Sequence, residues 1–249
     1  MSKTKVNKYS SFFHSRADEL RQLQKVLETQ FAGKYTVLTP LQEAAKLLDE
    51  QADGTKTMDV WGYSIKDLII PIGNIHNIEP SGIQAKICIN CECKCNVKDW
   101  GNNCDPFISY SFRLRVYGDT DGIKHSWGMH IDKDDKQSKD EWHPLYHLHC
   151  FESRLDSPTV LKDERQHKGS MYMNVPRLVH YPLDIVLGIG FCLMNFYKKE
   201  VFTKLYINDK QFPRLYKQSY DRILKPYLAS LVGQPSCVFD KKDLCPQIA

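Results

Sequence analysis

The stretch at residues 86–98, KICINCECKCNVK, decides the fold, because the hydrophobic pattern of the chain changes there to a period of two. Isoleucine, cysteine and valine occupy the odd positions, and polar residues occupy nearly all the even ones. This alternation predicts a β-strand with one apolar and one polar face. Cys91, Cys93 and Cys95 fall on the apolar face, where a free cysteine behaves as a small hydrophobic residue. We therefore expect these three thiols to be reduced and largely buried.

The density of cysteines in this strand also raises the alternative of a metal site. A zinc site usually needs four ligands that converge from two turns, often as two CxxC pairs. The strand contains one CxxC pair, Cys88 and Cys91, and a regular strand would direct the two side chains to opposite faces. Cys104 is the only nearby cysteine that could complete a ligand set. We expect no metal here, and zinc binding or a redox role remains the alternative.

Composition and charge indicate a cytoplasmic protein. The chain has 249 residues and a formal net charge of +4, and no basic block dominates it, which permits contact with nucleic acid without requiring it. No segment reaches the roughly 18 apolar residues that would cross a bilayer, and the N-terminus has no apolar secretory core. We expect no membrane contact, and we expect the nine cysteines to stay reduced.

The pattern on either side of this strand predicts a single α+β domain over residues 1–249. Segments with helical spacing of apolar residues flank a region of strict alternation. We expect N-terminal helices, a central antiparallel sheet of four to six strands, and C-terminal helices packed on its apolar face, at about residues 10–54, 86–180 and 182–232. Residues 55–85 are expected to be irregular, with one or two short strands, because prolines and glycines interrupt them. The last helix is expected to be kinked or split at Pro226.

Histidines and arginines collect on the predicted polar face of the sheet. The charged and titratable residues of this face are Glu92, Lys94, Arg113, Arg115, His130, His143, His147 and His149. His147 and His149 are two positions apart on one strand, so their side chains project to the same side, roughly 7 Å apart. Two imidazoles at this spacing could bind one metal ion, act as acid and base on a phosphodiester, or form hydrogen bonds within the fold. The three alternatives stay open at the level of sequence.

The catalytic alternative names five residues. His147 and His149 are the acid and base candidates, and His143 is a second-rank candidate on the same strand face. Arg113 and Arg115 would hold a phosphate and stabilise developing charge. No metal is assigned and no cofactor is expected, since GxGxxG, GxxxxGK[ST], GxSxG and HExxH motifs are absent from the chain. Their absence argues against a dinucleotide enzyme, a P-loop NTPase, an α/β-hydrolase and a zincin.

Two stretches resemble a bacterial family. HPLYHLHCFESR at residues 143–154 and VPRLVHYPLDIVLGIGFCLMNFYKK at residues 175–199 are similar to its His-Pro-x-x-His-x-His strand, its arginine beside a proline, and its helix ending in Asn-Phe-Tyr. The matching positions are His143, Pro144, His147, His149, Pro176, Arg177, Asn195, Phe196 and Tyr197. The resemblance covers about residues 107–230, with an insertion at 152–170. The strand is also distantly similar to the histidine-rich strand of TumE-type toxins of toxin–antitoxin loci.

The resemblance implies a bacterial defence, mobile-element or toxin–antitoxin setting, with an RNase-like or nucleic-acid-related role. Two functions of different classes are expected from it and from the histidine-bearing face. The first is a metal-independent RNase that uses the histidines and arginines named above. The second is a non-catalytic subunit that binds nucleic acid or a cognate protein within a multi-component system. The sequence gives no indication of the oligomeric state.

Overall fold

The computed structural model of the chain describes residues 7–54, 58–74, 84–102, 105–120, 123–133, 145–152 and 178–231. Within these ranges the chain forms N-terminal helices, then one antiparallel sheet, then C-terminal helices. The predicted α+β class is therefore confirmed. The strands lie in the sheet in the order in which they occur in the chain, so each strand pairs with the next one.

The bounds of the described elements are as follows. The helices are α1 Ser10–Gln30, α2 Thr39–Ala52, α3 Ile185–Phe196, α4 Lys199–Thr203, α5 Gln211–Ser219 and α6 Lys225–Leu231, and two π-helical segments are Lys204–Asn208 and Tyr220–Leu224. The strands are β1 Val60–Asn74, β2 Gln84–Asn96, β3 Phe107–Thr120, β4 Ile123–Lys133, β5 Tyr146–Glu152 and β6 Leu178–Val179. Since β6 has only two residues, the described sheet consists of five long strands and one short one.

Strand β1 corrects the prediction for residues 55–85. The sequence pattern predicts an irregular segment there, whereas Val60–Asn74 is one strand of 15 residues that pairs with β2 along its length. β1 lies at the edge of the described sheet. Pro71 is tolerated in it because an edge strand does not need every backbone N–H group for pairing. The sheet therefore begins at residue 60 rather than at about residue 86.

A β-bulge explains why the alternation of β1 is hidden in the sequence. Ile65 lies opposite Cys91 and Leu68 lies opposite Ile89, so β1 has one residue more than β2 between these two pairs. Asp67, which has a φ of 56°, lies within the bulge. The extra residue moves the buried side chains of β1 from odd to even positions while keeping them on one face of the sheet.

The three cysteines at odd positions of β2 are buried, as predicted. Cys91, Cys93 and Cys95 are 0%, 5% and 0% exposed, and each is a free thiol. Burial raises the pKa of Cys91 and of Cys95 well above the ordinary range. Thiols with raised pKa values stay protonated near neutral pH, and a protonated thiol is a poor nucleophile. These cysteines therefore fill the core.

Helix α3 contacts the apolar face of the sheet. Asp184 caps its first turn by accepting a hydrogen bond of 2.8 Å from a backbone N–H group. The hydroxyl group of Tyr110 donates to the carbonyl of Leu183 at 2.9 Å and accepts from its N–H group at 2.8 Å. Gly188 lies against the ring of Phe112, with which a Cβ atom at that position would collide. Buried side chains of α3 and of the sheet thus belong to one core.

The last helical region is interrupted just before Pro226, as the sequence suggests. α5 ends at Ser219, the π-helical segment Tyr220–Leu224 follows, and α6 begins at Lys225. Proline has no N–H group to bond with the carbonyl four residues earlier. A local π-helical turn is one way in which a helix absorbs such an irregularity. At the predicted split the structure thus shows a change of helix type.

An ionic cluster joins α1 to the C-terminal helical region. Arg222 donates two hydrogen bonds to the carboxylate of Glu19, at 2.9 and 3.0 Å, and Arg16 donates to the same carboxylate at 2.8 Å. Both guanidinium groups lie over the ring of Trp100, at 5.3 and 5.7 Å from its centroid. The charged side chains are only 10–16% exposed. Charge-assisted bonds of this kind are strong where water is excluded.

Candidate functional site

Two rows of directly opposed residues cross the polar face of the sheet. One row is Glu92, Ser111, Asp132 and His147, and the other is Asn90, Arg113, His130 and His149. Residues directly opposite each other on antiparallel strands have Cβ atoms about 5 Å apart. The pairing of β3, β4 and β5 therefore places Arg113 beside His130, and His130 beside His149.

Three imidazoles form one cluster on β4 and β5. The rings of His130 and His149 stack, with centroids 4.7 Å apart and planes 16° apart. The rings of His147 and His149 meet edge to face, with centroids 4.8 Å apart. These three residues, together with Asp132, are named the imidazole cluster below. The structure thus brings the predicted pair on β5 together and adds a third histidine from β4.

His130 and Asp132 are the members of the imidazole cluster to which the sequence pattern assigns no role. Oδ2 of Asp132 lies 3.3 Å from Nε2 of His130, which is close enough for the carboxylate to orient the imidazole. Asp132 also lies opposite His147 across the pair of strands β4 and β5. Alternation places both residues on the polar face, but only the register of two strands shows which residues lie beside them.

Exposure to solvent differs within the imidazole cluster. His147 is buried, with 7% of its surface exposed. The side chains of His130 and Asp132 are 28% and 31% exposed, and His149 is half-buried. A ligand on the polar face can therefore reach His130 and His149 more readily than His147.

The two predicted arginines lie on β3 at different distances from the imidazole cluster. Arg113 is exposed and lies opposite His130, so it borders the cluster directly. Arg115 is half-buried and lies opposite Gly128, two positions farther along the strand, which corresponds to about 7 Å. The third predicted histidine, His143, lies outside the described residues.

The triplet Asn-Phe-Tyr at the end of α3 has a structural role. The side chain of Asn195 donates a hydrogen bond of 2.8 Å to the backbone carbonyl one turn earlier, and the hydroxyl group of Tyr197 donates to the carbonyl of Pro71 at 2.7 Å. These bonds fix the end of α3 and tie it to β1. Pro176 and Arg177 of the same motif lie outside the described residues.

Cys88 is the one clustered cysteine on the polar face. Its thiol donates to Oδ1 of Asp67 at 3.5 Å. Burial, reinforced by the charge of Asp67, raises the pKa of Cys88 to about 12, so this thiol is protonated near neutral pH. Among the residues that the structure describes, no three histidines, cysteines or carboxylates are arranged to hold a metal ion. The expectation that the protein binds no metal stays a prediction, and Cys104 lies outside the described ranges.

Comparison of the chain with models of protein families, with curated proteins and with solved structures finds no match. The resemblance to the His-Pro-x-x-His-x-His family and to TumE-type toxins therefore stays a prediction. In the part of the chain that the structure describes, no helix is long and apolar enough to cross a membrane.

Proposed function

We propose that the protein is a metal-independent nuclease that cleaves RNA at the imidazole cluster. The observation that supports this most is the convergence of three imidazoles, a carboxylate and an arginine on three neighbouring strands. Histidine has an ordinary pKa near 6.5, so it can both accept and donate protons close to neutral pH. An arginine beside it can hold the phosphate and stabilise the charge that develops on it.

The reaction that suits these groups is transfer of a phosphodiester to the neighbouring 2′-hydroxyl group of RNA. A base takes the proton of the 2′-hydroxyl as its oxygen bonds to phosphorus. The bond from phosphorus to the 5′-oxygen then breaks, and an acid gives that oxygen a proton. The products are a 2′,3′-cyclic phosphate and a 5′-hydroxyl end. This step needs neither water as a reactant nor a metal ion as a catalyst.

The accessible histidines take the two proton-transfer roles. Asp132 lies 3.3 Å from His130 and orients its ring, and we assign this histidine the role of the acid. His149, stacked against that ring, is then the base. His147 is a positioning residue, because it is buried and packs edge to face on His149. Arg113 contacts the scissile phosphate, and Arg115 contacts the next one.

Cleavage of RNA in the presence of a chelator tests this proposal. His149→Ala and His130→Ala should each lower kcat/KM by about 10²–10⁴-fold, the usual contribution of a general acid or base. His14→Ala is the matched control, because His14 lies on α1, where it pairs with Asp49 at 2.8 Å, and it should leave cleavage unchanged. Intact RNA with the wild-type protein, or full cleavage by both cluster variants, would refute the nuclease.

The setting proposed for this activity is a toxin–antitoxin or phage-defence system in the bacterial cytoplasm. The cysteines of the described residues are free thiols, which agrees with a reducing compartment. Expression of the wild-type chain should then slow growth and degrade total RNA, whereas the double variant His147→Ala, His149→Ala should do neither. Equal growth and intact RNA in both strains would remove the toxin from consideration.

A second function is favoured by the burial of His147. A histidine that is 7% exposed and packed against another ring is more typical of a structural role than of a catalytic one. We propose as the alternative that the polar face binds nucleic acid or a cognate protein without cleaving it. Binding of RNA that remains intact, with affinity lost in Arg113→Ala, would support this alternative over the nuclease.

A further inference from the structure

We propose that the substrate is single-stranded RNA, which lies along β3 from the imidazole cluster toward Tyr117 and stacks its bases on Tyr117 and Tyr35. This inference rests on the proposed function, since the imidazole cluster marks the scissile phosphate. It adds the class of RNA, the path of the strand and the residues that recognise it.

The first support is the sequence of outward-facing side chains on β3. Arg113, Arg115 and Tyr117 follow one another at two-residue spacing on the polar face. This spacing separates successive side chains by about 7 Å, so Tyr117 lies about 14 Å from Arg113. An extended RNA strand that begins at His130 would therefore meet two guanidinium groups and then an aromatic ring.

The second support is a cation and a second aromatic ring beside Tyr117. Lys86 of β2 lies directly opposite Tyr117, and its Nζ atom lies 4.2 Å from the centroid of the Tyr35 ring. Tyr35 precedes a bridge between Val37 and Ile69 at the outer edge of β1, and it is 59% exposed. The polar face thus presents an aromatic ring, an ammonium group and another aromatic ring from β3 to the edge of the sheet.

The charges along this path have both signs. Lys86, Arg113 and Arg115 are the cations. Two carboxylates lie near the end of the path at Tyr117, namely Asp67, beside Cys88, and Asp119. Asp67 accepts a hydrogen bond from the thiol of Cys88. The electrostatic attraction for a polyanion is therefore moderate, and stacking on the two tyrosines has to supply a large part of the affinity.

Stacking on tyrosines selects single strands over duplexes. The bases of an RNA duplex are stacked on one another and its deep major groove excludes side chains, whereas an unpaired base can lie flat on an aromatic ring. A sheet that combines cations with exposed aromatic rings is a known way of binding single strands without reading their sequence. We therefore expect little dependence on base sequence and strong discrimination against duplexes.

Binding of a fluorescein-labelled single-stranded DNA of 12 nucleotides tests the path separately from cleavage, because the oligonucleotide lacks the 2′-hydroxyl groups. Tyr117→Ala and Tyr35→Ala should each raise Kd about tenfold, the effect of losing one base stack, while Tyr117→Phe should stay near the wild-type value. Tyr220→Ala, which removes another exposed tyrosine, is the matched control and should leave Kd unchanged. Because Tyr35 is exposed, its variant reports on binding even if Tyr117→Ala lowers stability.

Salt dependence gives a second readout on the same oligonucleotide. Three phosphate contacts predict a slope of about −2 for the logarithm of the association constant plotted against the logarithm of the salt concentration. Arg115→Ala removes one contact and should change the slope to about −1.4. Equal binding of a 12-base-pair RNA duplex, or unchanged Kd in both tyrosine variants, would overturn the inference. Binding with these dependences but without cleavage of single-stranded RNA would support the path and refute the nuclease. Cleavage that depends on His149, together with a Kd that is unchanged in both tyrosine variants, would support the nuclease and refute the path.

Discussion

Phe112 and Arg113 are neighbours on β3 that serve opposite faces of the sheet. The ring of Phe112 is fully buried against α3, whereas Arg113 is exposed beside His130. On the apolar face the effect of a side chain depends on the volume that it fills, because the core is close-packed. On the polar face the effect depends on which residue of the next strand lies opposite. Substitutions on the two faces should therefore affect the stability of the fold to different degrees.

The largest expected effect comes from deletion of Asn90, which shifts half of β2 by one position. Cys91, Cys93 and Cys95 would then turn to the polar face, in a strand that pairs on both sides. Moving three core side chains to the polar face should lower the free energy of unfolding by an amount close to the typical net stability of a domain, about 5–15 kcal/mol. We expect no cooperative unfolding transition in circular dichroism.

Deletion of Asp67 is the matched control, because it removes the extra residue of the bulge. The pairs Ile65–Cys91 and Leu68–Ile89 can both persist in a regular strand. Only the local contacts of Asp67 with Cys88 and Asn90 are lost, at a cost of about 1–3 kcal/mol. If this deletion were as damaging as that of Asn90, the proposed reason for the parity change in β1 would be wrong.

Truncation of the two neighbours on β3 compares the faces directly. Phe112→Ala leaves a cavity under α3 and should lower the free energy of unfolding by about 3–5 kcal/mol. Arg113→Ala should change it by no more than about 0.5 kcal/mol, while the proposed function predicts that this variant binds RNA more weakly. Urea denaturation of both variants measures the difference, and equal losses of stability would contradict the separation of the two faces.

His180 gives an effect that depends on pH, and its ring lies against helix α3 rather than on the polar face. Its ring contacts Tyr181 and Phe191, and burial lowers its pKa, although a contact with the carbonyl of Tyr181 opposes this. The folded state thus prefers the neutral ring. The stability due to this preference is complete above the unfolded pKa of about 6.5 and is lost as pH falls through the lower folded pKa.

His180→Gln should remove this dependence, so the wild-type protein should lose more stability than the variant as pH falls from 7.5 to about 5. Thermal unfolding of the two proteins between pH 7.5 and about pH 5 measures it. Identical pH profiles for the two proteins would show that the partly buried ring of His180 accepts a proton in the folded state as readily as in the unfolded one.

The apolar face could be predicted where alternation within one strand is unbroken. β2 and β3 have this property, so the burial of Cys91 and the orientation of Phe112 follow from the sequence. β1 could not be recognised, because the bulge at Asp67 shifts the hydrophobic period and Pro71 suggests an interruption. Local patterns report which face a residue occupies only as long as the strand remains regular.

The candidate site could be predicted only in part. His147 and His149 share one strand face, so their proximity follows from a spacing of two. The position of His130 depends on the register between β4 and β5, and the segment that connects these strands, residues 134–144, has no short turn motif that would fix this register. Asp132 was missed for the same reason.

The ionic cluster of Glu19, Arg16 and Arg222 has a consequence for the order of folding. Glu19 and Arg222 are 203 residues apart in the chain, so their bonds close a very large loop, whereas each strand of the sheet pairs with its neighbour in sequence. Loop closure is entropically more costly for distant segments, so we expect the local hairpins to form before the ionic cluster does. The cluster is therefore a late contact, and late contacts slow unfolding rather than accelerate folding. Its contribution is to the lifetime of the folded molecule.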